Sequence, residues 1–68
     1  SKLNQWVVRL PGAIPADLQL SGRQQRILRS IEGNEIRVAD LIRREGDEEW
    51  MLRLLYMLHQ IRRVMFHD

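Results

Sequence analysis

The chain has 68 residues and a mass of 8.1 kDa, with 44% apolar and 29% charged residues, enough for one domain and one small core. Its longest unbroken apolar run, Leu54 to Leu58, falls far short of the roughly 20 residues a membrane span needs. The absence of cysteine excludes a disulfide scaffold or a thiolate zinc site, and the net charge of +2 is uneven, with five bases against two acids in residues 1–34 and six against seven in residues 35–68.

Trp6, Val7 and Val8 favour a strand within residues 3–10, closed by the turn signal Pro11-Gly12. Pro15 then falls in a loop or a single turn before Leu20. Ser21 and Gln24 have capping-box spacing, so a first helix is expected to begin near Gly22. It buries Ile27, Leu28 and Ile31, leaves Arg23, Gln25, Arg26 and Arg29 to water, and stops at Gly33-Asn34. Ile36 and Val38 alternate as a strand of two or three residues. Ala39–Glu45 is a second helix, with Val38, Leu41 and Ile42 on one face, and Gly46 breaks it. Asp47 is an N-cap for a third helix running from about Glu48 to Ile61, with the stripe Met51, Leu54, Leu55, Leu58 and Ile61. Val64, Met65 and Phe66 read as a closing strand that pairs with the N-terminal one, because each is otherwise an unpaired edge.

The expected fold is therefore α+β, with three helices and a short antiparallel sheet. The expected core adds Val7, Leu10, Leu20, Ile36, Val64 and Phe66 to the helical positions. Residues 1–19 are expected to pack as a strand and turn on residues 20–68, within a single domain. The segment reads as a piece of a longer cytoplasmic protein.

Ile27, Leu28, Ile31 and Gly33, followed by Ile36, Val38 and Leu41, resemble the passage from first to second helix in bacterial winged-helix repressors. Gly46, Asp47, Glu48 and Glu49 with Leu54, Leu55, Tyr56, Met57 and Leu58 resemble their turn and third helix. The run Leu20 to Leu28 together with Leu54 to Leu58 is similar to PATAN-type winged-helix tails of bacterial signalling proteins. The resemblance covers about residues 20–66. It implies a small three-helix winged helix with a regulatory or docking role and no enzymatic activity. Arg37 stands where repressors often carry a small hydroxyl cap. The second wing strand either lies outside the sequence or is replaced by the N-terminal strand.

In a repressor the start of the third helix enters the major groove. Here that position holds Asp47, Glu48 and Glu49, which repel phosphates and suit the helix dipole instead. Trp50, Arg53, Met57 and Gln60, spaced at i, i+3, i+7 and i+10, read as the helix face opposite the core. Trp and Met there suit a protein interface. The competing reading folds Trp50 back under the N-terminal segment. The favoured function is thus docking of another protein, another domain of the same chain or a second copy of it, through Trp50, Arg53, Met57 and Gln60. The alternative is duplex DNA, with Arg23, Arg26 and Arg37 on phosphates and Arg53, Gln60 and Glu49 on bases. No membrane contact is expected. No Ser-His-Asp or Cys-His arrangement, phosphate-cradling loop or paired carboxylates are present, so neither catalysis nor a metal or cofactor is expected.

Overall fold

A computed structural model describes residues 2–68. A short 3₁₀ turn, Lys2–Asn4, leads into β1, Trp6–Arg9. Then come α1 (Gly22–Ser30), β2 (Ile36–Arg37), α2 (Val38–Glu45), α3 (Glu48–Gln60) and β3 (Val64–His67). The chain is a small α+β fold of three helices and one three-stranded antiparallel sheet.

The sheet order is β2-β1-β3, so the N-terminal strand occupies the middle. Trp6 lies opposite both Arg37 and His67, and Val7 opposite both Ile36 and Phe66. Side chains alternate across a strand. Val7 on β1 and Val64 on β3 therefore point to the helices and are fully covered, while Met65 points outward and is exposed.

Each helix boundary has a local cause. Ser21 Oγ accepts from the Gln24 amide at 3.1 Å and Gln24 Oε1 accepts from the Ser21 amide at 2.9 Å, so the capping box is complete. Gly46, at φ 73°, closes α2 by donating its N–H to Ile42 O at 2.7 Å. Asp47 Oδ1 accepts from the Trp50 amide at 3.1 Å and caps α3. The end of α3 is a Schellman motif, with Arg62 N–H donating to His59 O and Arg63 N–H to Leu58 O. Arg62 supplies the left-handed residue, at φ 59°. Between β1 and α1 the chain makes one turn, with Leu18 N–H donating to Pro15 O at 3.0 Å. At Gly12, φ 122°, the Arg63 guanidinium lies where a Cβ would stand and donates to Pro11 O at 3.0 Å.

One core joins all these elements: Val7, Ile27, Leu28, Ile31, Val38, Leu41, Met51, Leu54, Leu55, Leu58 and Val64. Every one belongs to the expected set. Leu20, Ile36, Ile42, Ile61 and Phe66 pack around it half-buried. Leu10 departs from expectation: it is also half-buried but lines a shallow hollow with Arg62 and Met65 instead of joining the core. It stands one residue past β1, where the chain has begun to leave the sheet.

Candidate functional site: the outer groove of α3

The four α3 residues expected on one outward face are separated by the structure. Arg53 and Gln60 are exposed, but Trp50 and Met57 are half-buried and pack against the core. The Arg23 guanidinium of α1 lies over the indole, 3.7 Å from the ring centre, within cation–π range. The same guanidinium donates through Nε to Glu45 Oε1 at 3.1 Å, and Arg26 reaches that oxygen at 3.5 Å. Glu45, the last residue of α2, thus holds α1 down over the first turn of α3. Trp50 is a joint between three helices and not an outward anchor. Its packing against the core agrees with the competing reading that Trp50 helps to complete the core.

The outward apolar surface lies on the opposite shoulder of α3. Leu52, Leu55, Tyr56 and His59 of α3 and Phe66 of β3 line a groove of about 810 Å³. Tyr56 is the most exposed large apolar side chain among the described residues, at 63%. The His59 and Phe66 rings meet at a centroid distance of 5.5 Å and close one wall. Glu48, Glu49, Arg53 and Gln60 form the rim. Arg53 is paired with Glu49 one turn earlier, and among the described residues Glu48 makes no ion pair, so the end of the groove near the start of α3 is acidic. Of the four residues expected from the sequence, this groove includes Arg53 and Gln60. It replaces Trp50 and Met57 with Leu52 and Tyr56, and it adds His59 and Phe66.

The arginines weighed for phosphate contact each have a partner within the chain, although Arg26, Arg37 and Arg53 are exposed. Arg23 and Arg26 share Glu45. Arg37 donates to Asn4 O at 3.0 Å and lies over the Trp6 ring, 4.5 Å from its centre. Arg53 faces Glu49.

No match to this chain emerges from comparison with protein-family models, curated proteins or solved structures. The chemistry of the surface therefore carries the functional argument. Among the described residues no group of three or more His, Asp or Glu side chains is placed to hold a metal ion. No helix there is long and apolar enough to cross a membrane.

His67 makes the remaining polar link of note. Its Nε2 lies 2.7 Å from Glu35 Oε1, and its Nδ1 lies 3.0 Å from the Asp68 carbonyl. The Glu35 hydrogen bond, followed by that carbonyl, raises the imidazole pKa above its ordinary value. The pair ties the end of β3 to the entry of β2 across β1, alongside the Arg37–Trp6 contact.

Proposed function

We propose that this chain is a non-enzymatic binding module that docks a basic amphipathic segment of another polypeptide in the outer groove of α3. The observation that carries this reading is the groove itself, with an apolar floor of Leu52, Leu55, Tyr56 and Phe66 and acidic side chains at one end. Tyrosine is common among the anchors of protein interfaces. A partner with two or three apolar side chains on one face would fill the floor, and a lysine or arginine at its end would meet Glu48. The partner belongs to a separate protein or to a neighbouring domain.

The element order suits the winged-helix resemblance, with β1 in the central place where a second wing strand would stand. On that reading the parent is a bacterial regulatory or signalling protein. Duplex DNA is the less favoured ligand. The residues that would meet a groove are Asp47, Glu48 and Glu49, and phosphate attraction supplies most of non-specific affinity.

The test uses the peptide acetyl-Lys-Leu-Leu-Lys-Leu-Phe-Lys-amide, labelled for fluorescence anisotropy. It is expected to bind saturably, and Tyr56→Ala or Glu48→Lys is expected to weaken it by about tenfold each, or about 1.4 kcal/mol. Both positions are exposed, so both variants are expected to fold, with Glu48→Lys losing about 0.5–1 kcal/mol at the start of α3. Equal binding by the wild type and both variants would remove the proposal.

A further inference from the structure

A second concavity, of about 630 Å³, lies between the segment that follows β1 and the outer side of α1, and it shares no residue with the α3 groove. Its apolar lining includes Ile14, Leu18, Leu20 and Leu28, and it is flanked by Arg9 and Arg29. These two arginines differ from most others in the chain. Arg23 and Arg26 have Glu45, Arg43 has Asp40 and Arg53 has Glu49. The Arg29 side chain, like those of Arg44 and Arg62, makes no hydrogen bond or ion pair among the described residues. Arg9 makes one long bond, from Nη2 to Gly12 O at 3.4 Å, and its Nε is covered without any acceptor. No acidic side chain lines the cleft; Asp17, in the same segment, is exposed and stands outside it.

Two guanidinium groups short of acceptors, beside an apolar floor, match an oxyanion carried on an apolar body. Guanidinium binds carboxylate through paired, charge-assisted hydrogen bonds. The lining contains no aromatic ring on which a nucleic-acid base could stack. The cleft is open to solvent, which suits a passing chain more than an enclosed small molecule. We propose that this cleft binds an acidic polypeptide segment, its carboxylate held by Arg9 and Arg29 and an adjoining aliphatic side chain set among Leu18, Leu20 and Leu28. This second site is independent of the α3 groove and stands or falls without it.

The test is an NMR titration of the ¹⁵N-labelled protein, observing the arginine Nε–H signals and the backbone amides. The probes are acetyl-Glu-Leu-Glu-Glu-Leu-amide and its counterpart with glutamine at every glutamate. The glutamate peptide is expected to shift Arg9 and Arg29 Nε–H and the Leu18–Leu20 amides saturably, and the glutamine peptide to bind about tenfold more weakly. Arg29→Glu, at an exposed site, is expected to lose binding by about tenfold or more. Arg44→Glu, also exposed and with the same change in net charge, is expected to stay within about twofold of wild type. Equal binding of the two peptides, or an equal loss in Arg44→Glu, would overturn the proposal. So would still Arg9 and Arg29 signals at about 5 mM peptide, or shifts confined to Leu52 and Tyr56.

Discussion

Arg62 adopts the left-handed conformation that ends α3, a position usually given to glycine. A side chain there costs about 1 kcal/mol, because Cβ crowds the following carbonyl. The residue is exposed and lies outside the core, so Arg62→Gly removes that cost and little else. It is expected to stabilise the fold by about 0.5–1 kcal/mol, and for a domain this small to raise Tm by roughly 3–6 °C in a thermal melt. His67 makes a prediction of opposite character, because its contribution depends on pH. Its folded pKa lies above the ordinary value, held there first by Glu35 and then by the Asp68 carbonyl. The stability it adds is complete at pH values below the ordinary histidine range and is lost as pH rises through the raised, folded value. An NMR titration is expected to give a lower His67 midpoint in Glu35→Gln than in wild type. The fall in wild-type Tm across that window is expected to be smaller in the variant, where only Asp68 still raises the pKa.

At the scale of the element, α3 separates what periodicity reveals from what it hides. Met51, Leu54, Leu55 and Leu58 stand out as a stripe, and all four are in the core. The capping box at Ser21–Gln24, the break at Gly46 and the Asp47 cap are equally readable, since each depends on chemistry within a few residues. The two shoulders of the stripe are different. At 100° per residue, Trp50 and Met57 on one side and Leu52 and His59 on the other all lie roughly 90–110° from its centre. Which shoulder is covered depends on elements distant in sequence. Arg23 and Glu45 close over Trp50, while the Leu52 side is left open beside Phe66. Periodicity alone therefore does not show that Trp50 and Met57 are half-buried against the core. The left-handed Arg62 was similarly hidden, because arginine carries no signal for that conformation. Trp50→Ala is accordingly expected to destabilise the fold by about 1.5–3 kcal/mol in urea unfolding, less than for a fully buried tryptophan. Tyr56→Ala is expected to change stability by less than about 0.5 kcal/mol. The reverse order would return Trp50 to the surface.

For the whole molecule, the sheet order decides how far the chain can be divided. β1 is bonded to both other strands, and Val7 is fully buried at the centre of the core. β1 is therefore an integral part of the fold and not an attachment to it. A fragment of residues 20–68 is expected to show no cooperative unfolding transition, and a peptide of residues 1–19 added in trans is expected to restore one. A cooperative melt of the fragment alone would mean that β2 and β3 hold together without the strand between them. The same architecture turns the acidic start and apolar shoulder of α3 outward, and the functional account rests on that surface. Its most direct test is a pair of chemical-shift maps on the ¹⁵N-labelled protein at low salt, one with the lysine–leucine peptide and one with generic duplex DNA. The Glu48–Gln60 and Phe66 amides are expected to move with the peptide and to stay still with duplex. Salt-dependent movement of the Asp47–Arg53 amides on addition of duplex, with none caused by the peptide, would contradict that expectation.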